Sequence, residues 1–329
     1  MRGHPLSTDV QMRNCGVLCD LAIDAECRPK IASLGGLQLV LECMRAQPLA
    51  TELQHAGCAV LWNLTVNPEI KVKVASLGGI DVVLEAMRTH PKSVHVQHKG
   101  CGALWNLSAN PDNRVKIATL FGIGVILKAM RGHPTAVKVQ QQGCGALQNL
   151  SINYDNKVKI GSLGGIDVIL DAMRAHLAVV EVQHRGCGAL WGLALNVDNQ
   201  ASITSRGGVE VLLDTMRHHL SVPEVQSHAC AALSNLAINP DNRVKMVALG
   251  GVPVVVEAMR LHPLVVDVQR FGCGALYNLA MLAENVKKIT AAGGGEAVRD
   301  AMRAHPSVME VQHWGRGALH GLESAESVS

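Results

Sequence analysis

Apolar residues fall along this chain in short clusters of helical period, set between turn signals, and the clusters recur at a constant interval. In "IDVILDAMRAH" (166–176) Ile166, Val168, Ile169, Leu170 and Met173 mark one inward face. In "VQHKGCGALWNL" (96–107), taking about 100° per residue, Val96, Gly100, Ala103, Leu104 and Leu107 gather on one side, and Asn106 points nearly the opposite way. Glutamine opens this second cluster each time, at Gln11, Gln54, Gln97, Gln140, Gln183, Gln226, Gln269 and Gln312, an unbroken spacing of 43. A fixed period of this length predicts an all-helical solenoid whose units bury their apolar faces only against neighbours. We expect one elongated domain over residues 1–323 and a polar tail over 324–329.

Each period holds three predicted helices. The first follows "NPDN", with Asp112 or Asn113 as its cap, Val115 and Ile117 opening its buried side, and a glycine pair such as Gly78–Gly79 or Gly164–Gly165 closing it. The second runs through stretches like 166–176 and stops before a proline, as at Pro91, Pro134, Pro263 and Pro306. The third starts at a capping box, read from Ser221 with Glu224 and Ser307 with Glu310.

Composition narrows the class. No run approaches the roughly 18 apolar residues of a membrane span. The opening "MRGHPLSTDVQM" has neither a signal-peptide pattern nor a myristoylation glycine, so cytoplasm, or nucleus, is the expected compartment. Seven of the ten cysteines (Cys15, Cys58, Cys101, Cys144, Cys187, Cys230, Cys273) share one repeat column. Stacked helices lie about 8 to 10 Å apart, beyond the roughly 7 Å reach of a disulfide, so these read as buried thiols. Cys15 and Cys19 are one helical turn apart but lack further ligands for a metal. No nucleophile with its base, phosphate-cradling loop or unique carboxylate pair stands outside the repeat. We therefore expect no catalytic residue, no cofactor and no metal.

The pattern "EVQ…GCGALWNLA…N.DN..KI…GGI..IL.AM" recurs through seven periods and resembles the armadillo repeat, over essentially the whole chain. The resemblance implies an all-α, right-handed superhelical solenoid of three-helix repeats whose third helices line a concave groove that holds extended peptide segments. It implies that Asn63, Asn106, Asn149, Asn235 and Asn278 form a ladder of amide rungs in that groove. Rungs about 8 to 10 Å apart would meet an extended strand, advancing about 3.3 Å per residue, at every third residue. The alternative is that the asparagines brace a neighbouring helix. Asp20, Gly192 and Gly321 interrupt the ladder. In the import receptors of that family the groove tryptophan precedes the asparagine by four residues, where this chain has Gly102, Gly145, Gly188 or Gly274. Here Trp62, Trp105, Trp191 and Tyr277 stand directly before it. Trp105 either lies over Gly102 as a replacement groove wall or packs between adjacent third helices.

Charge columns set the expected partner. The two positions after each glutamine include Arg13, His55, His98, Lys99, His184, Arg185, His228 and Arg270, with no acid among them. A weakly basic groove favours an acidic or phosphorylated segment of a partner protein over the basic cargo of a nuclear transport receptor. The eight arginines of the "MR" pairs, from Arg2 to Arg303, read as a solvated face, most with an acid three residues earlier. The basic pairs of the first helices are preceded by Glu69, Asp112 and Asp241, and the net charge is only +3, so nucleic-acid binding is not expected. His90, His133, His176, His219, His262 and His305 are expected to cap helix ends. At the start, Val17, Leu18 and Leu21 would lie exposed, which suits a longer array, the regulatory part of a larger polypeptide, or an end meeting a second copy. Residues 191–210 lose the asparagine, both basic positions and the leucine before the glycines.

Overall fold

The computed structural model describes residues 1, 3 and 7–326; Arg2 and the end of the polar tail lie outside the described residues. The described chain is all helical, without strands, and divides into two compact units, Met1–Val168 and Ile169–Ser329. The division falls within one helix, α12. In each unit three helices recur per 43-residue period, as the apolar spacing predicts.

In the first unit the order is α1 (Thr8–Leu21), α2 (Cys27–Ser33), α3 (Gly36–Ala46), α4 (Thr51–Leu64), α5 (Pro68–Ser76), α6 (Gly79–Thr89), α7 (Val94–Leu107), α8 (Pro111–Thr119), α9 (Gly122–Gly132), α10 (Val137–Leu150), α11 (Tyr154–Ser162) and α12 (Gly165–Ala175). The second unit continues with α13 (Val180–Leu193), α14 (Val197–Ser205), α15 (Gly208–His218), α16 (Pro223–Leu236), α17 (Pro240–Ala248), α18 (Gly251–Leu261), α19 (Val266–Ala280), α20 (Ala283–Ala291), α21 (Gly294–Ala304) and α22 (Met309–Glu326). The long third helices pack in sequence, α1 on α4, α4 on α7 and α7 on α10, and likewise α13 on α16, α16 on α19 and α19 on α22. This is the stacking expected when each repeat buries its apolar face only against its neighbours.

Local chemistry explains the boundaries, with three corrections. The first helices are capped by the asparagine that opens "NPDN" or its equivalent, with an extended backbone and a side chain that accepts from the first turn: Asn110 sits at φ −86° and accepts from Asn113 N, Asn67 and Asn239 likewise precede a proline that favours this backbone, and Asn153 and Asn196 cap without one. Asp112 is not the cap, and Asn113 is buried, donating its amide to Leu107 O at 3.1 Å. Val115 is exposed, and only Ile117 and Ala118 face the core among the apolar residues of α8. Ser221 caps nothing, since Pro223 opens α16 and puts Val222 at the N-cap; Ser307 lies two residues before α22. Ser93 does cap α7, accepting from Val96 N. The last helix, α22, runs on to Glu326.

Each first helix passes to the second through one residue at positive φ, glycine at Gly35, Gly78, Gly164, Gly207, Gly250 and Gly293, and Phe121 at the equivalent place in the third period. No helix among the described residues is long and apolar enough to cross a membrane.

Candidate functional site

Five polar columns turn out to join backbone carbonyls, within a repeat or across the stack. The repeat glutamine is the first. Gln97, 2 % exposed, donates Nε2 to the carbonyls of Met87 and His90 at 2.8 and 2.9 Å, satisfying two C=O groups at the C-terminal end of α6. Gln54, Gln140, Gln183, Gln226, Gln269 and Gln312 repeat this arrangement. The histidines that follow the "MR" pairs are the C-cap residues of the second helices, as expected, but their rings reach back one repeat: Nε2 of His90 donates to Pro48 O at 2.7 Å, and His133, His219, His262 and His305 do likewise.

The "MR" arginines do more than pair on their own surface. Arg88, Arg174 and Arg217 lie within 3.8, 3.4 and 3.0 Å of Glu85, Asp171 and Asp214. Yet Arg45, Arg88, Arg131, Arg174 and Arg217 also donate to the carbonyl at the C-terminus of the next first helix, as from Arg88 to Leu120 O at 2.6 Å. The first-helix lysines act in the same way toward the preceding repeat, with Lys116 Nζ 2.7 Å from Ala75 O. In the divergent stretch 191–210 Gln200 takes over the bond that Arg114 makes elsewhere, donating to Ala194 O at 2.9 Å where Arg114 donates to Ser108 O.

The asparagine ladder belongs to this bracing system. Asn106 Nδ2 donates to Trp62 O at 2.9 Å, Asn149 to Trp105 O at 3.1 Å and Asn63 to Cys19 O at 3.0 Å. In the second unit Asn235 donates to Trp191 O at 3.2 Å and Asn278 to Ser234 O at 2.9 Å. Each asparagine thus braces the third helix of the preceding repeat, as the alternative reading has it. All five remain half-buried at the surface; Asn63 Nδ2 also reaches Cys19 Sγ at 3.3 Å, and among the described residues the other four keep Oδ1 and a second amide N–H outside any bond.

The aromatics pack between adjacent third helices. A Cβ on Gly102 would lie 2.8 Å from the Trp62 ring, and one on Gly145 would lie 2.9 Å from Trp105. Tyr277 covers Gly317 in the same way, at 2.7 Å. Trp105 thus sits over the glycine of the next repeat rather than over Gly102. Ala231 occupies the corresponding position after Trp191, whose ring lies 5.7 Å from His228 and 5.2 Å from Phe271.

Charge around these rings differs from the sequence expectation. Lys99 Nζ sits 4.6 Å above the Trp62 ring. Burial pushes the imidazoles of His98 and His184 down to about 4, aided by the nearby Lys99 and by His228 respectively, and lowers His55 and His228 too. These histidines are neutral at pH 7. Arg185 is half-buried, and desolvation lowers its guanidinium slightly from the usual range. Arg270 is not a free cation: Asp267 lies 2.9 Å away and Glu310 3.8 Å away, so carboxylates do reach this position. The column cysteines Cys58, Cys101, Cys144, Cys230 and Cys273 are pushed up to about 12 by burial, which leaves them as unreactive thiols.

The geometry invites comparison with known proteins. No protein-family profile matches the chain, and no curated protein matches it. Solved structures do. One engineered protein aligns over 97% of this chain and 86% of its own at 23% identity with a TM-score of 0.76. A second engineered protein covers 74% of this chain and 97% of its own at 26% identity with a TM-score of 0.64. A structure from work on a conserved phosphorylation switch controlling the interaction between cadherin and β-catenin covers 99% of this chain and 75% of its own, at 18% identity and a TM-score of 0.69. At these identities the likeness shows the fold alone: a helical repeat solenoid.

Proposed function

We propose that the chain is a noncatalytic protein-interaction scaffold of the armadillo type, which holds an extended segment of a partner protein along the faces of its third helices. The observation that carries this reading is the asparagine ladder with its adjacent aromatics. Asn106 and Asn149 in one unit, and Asn235 and Asn278 in the other, are fixed by one bond each yet keep a donor and an acceptor for the backbone of a bound strand, while Asn63, held by the carbonyl and the sulfur of Cys19, keeps its acceptor. Bracing favours the role, because a rotamer already held loses little entropy on binding.

The bound segment is acidic or phosphorylated, through Lys99 and Arg185 in their respective units. Arg270 contributes orientation rather than net charge, since two carboxylates face it. The likeness to the structure from cadherin and β-catenin work supports a protein partner.

Binding of acidic, phosphorylated and basic peptide libraries to the intact chain tests this. The reading expects acidic or phosphorylated sequences to be retained and Lys99→Glu to weaken them about tenfold, the scale of one charge-assisted contact. Retention of basic sequences instead would make the chain a receptor for basic signals. Asn106→Ala should weaken binding while thermal melting shows the fold intact; unchanged binding in both variants would sink the proposal.

A further inference from the structure

The second helix of the third period departs from every other. The outward face of α9, at helical spacing, is Phe121, Gly124, Lys128 and Arg131, all exposed. The equivalent face of α6 carries Gly78, Asp81, Glu85 and Arg88, and those of α15 and α21 likewise carry two acids and one arginine. Only α9 has no acid on this face, and it replaces the column acid with lysine. Lys128 has no carboxylate within ion-pair distance among the described residues. Arg131 donates to the carbonyls of Leu163 and Gly164 at 2.9 and 3.2 Å. Acids flank this face on both sides: on α6 Glu85 pairs with Arg88 at 3.8 Å, and on α12 Asp167 Oδ2 and Arg131 Nη2 approach the same point beside Gly164, to 3.7 and 3.0 Å.

Phe121 makes the departure costly. It holds φ 59° where the six equivalent residues are glycine, and its side chain is 71% exposed. A bulky L-residue in the left-handed region costs roughly 1 to 2 kcal/mol, and an exposed ring regains little of that by burial. Its neighbours are Lys159, with Nζ 5.4 Å from the ring centre, and Gly124, beside which a Cβ would meet open space. An exposed aromatic, a shallow gap and a ring of cations thus coincide in one repeat, the mark of a unique site on a repeating frame.

We propose that this face of α9, with Lys159 of α11, is a docking site for an acidic segment of a partner protein that carries an apolar side chain. Phe121 and the Gly124 gap take the apolar residue, and Lys128, Arg131 and Lys159 face the carboxylates. A few cations on one helix face suit a short peptide better than duplex nucleic acid, whose binding draws on many phosphate contacts. The site is separate from the asparagine ladder and does not depend on it.

The test uses the intact chain and a short synthetic peptide of Asp and Glu around a central benzoylphenylalanine photocrosslinker, with a Lys-for-acid counterpart. Crosslinks mapped by mass spectrometry should fall within residues 119–132. The double variant Phe121→Gly, Lys128→Glu restores the repeat pattern, so it should fold at least as well as the parent, and it should lose these crosslinks about tenfold. Lys99→Glu should leave them unchanged, which separates this site from the third-helix face. Crosslinks that miss 119–132, persist in the double variant, form equally with the Lys counterpart, or yield to duplex DNA or anionic vesicles but not to excess acidic peptide would overturn the proposal.

Discussion

Trp62 and Trp191 occupy the same repeat column, yet they meet different seats. Trp62 lies over Gly102 so closely that a Cβ there would be 2.8 Å from the ring, and Lys99 stacks above it. After Trp191 that position is Ala231, and the ring is enclosed by His228 and Phe271, with ring centres 5.7 and 5.2 Å away. The difference bears on the glycines inside the third helices, where glycine costs about 1 kcal/mol relative to alanine. Gly102, Gly145 and Gly317 each lie under the aromatic of the preceding repeat, whereas in the same column Gly274 lies under Ser234, with a Cβ 2.9 Å from its Oγ, and Gly188 follows Gln148. Where alanine stands instead, neighbouring rings from the following helices enclose the indole, and the cation above Trp62 gives way to an imidazole.

Breaking the first seat should have the largest effect. Gly102→Leu forces a branched side chain into the indole and should lower the unfolding free energy by about 3 kcal/mol, measured by urea titration with tryptophan fluorescence. Ala231→Gly in the other seat should cost only about 1 kcal/mol. Equal losses would show that the glycine is not a seat. The glutamine brace is the same in both regions, so Gln97→Leu and Gln226→Leu should cost alike, about 2 kcal/mol each, for the carbonyls left unsatisfied. A marked difference would show that the two units carry the brace differently. Smaller still, and opposite in sign, Phe121→Gly should stabilise the chain by about 1 kcal/mol through relief of the left-handed strain.

Acid should bring out the last contrast. His98 and His184 are neutral when folded and protonate near 4, whereas an unfolded histidine protonates near the ordinary value of 6.5. Below pH 6.5 the unfolded chain binds the extra proton, so stability should fall as pH drops from 6.5 to about 4 and then level off. Because both rings are partly exposed, the effect should be modest. His98→Gln should flatten this slope beside Trp62 and His184→Gln beside Trp191, as read by thermal melts across that range. A slope unchanged by both variants would place the titration elsewhere.

Much of the architecture was legible in the residues. The period of 43, the three helices per period, the glycine passages and the buried thiol column all follow from spacing and turn chemistry. Cap identities were less legible, because "NPDN" offers several capping side chains and only the extended backbone before the proline selects Asn110. The polar columns misled most. Arg88 and Lys116 read as surface charge and Asn106 as either a rung or a brace, and each holds a carbonyl of an adjacent repeat. In a stacked array a bracing residue and a ligand-facing residue recur with the same period, so periodicity alone separates neither. Departures were the better signal: Phe121, Gly124 and Lys128 were all visible as breaks in their columns.

The sequence by itself determined the repeat length, the helices and their inward faces, because these depend on local propensity and on apolar spacing along one chain. Only the tertiary structure decided where Trp62 and Trp105 rest, that Glu310 reaches Arg270, and how the asparagines are tied. Those outcomes depend on atoms 40 or more residues apart in sequence brought together by stacking, and no local pattern encodes the distance between them.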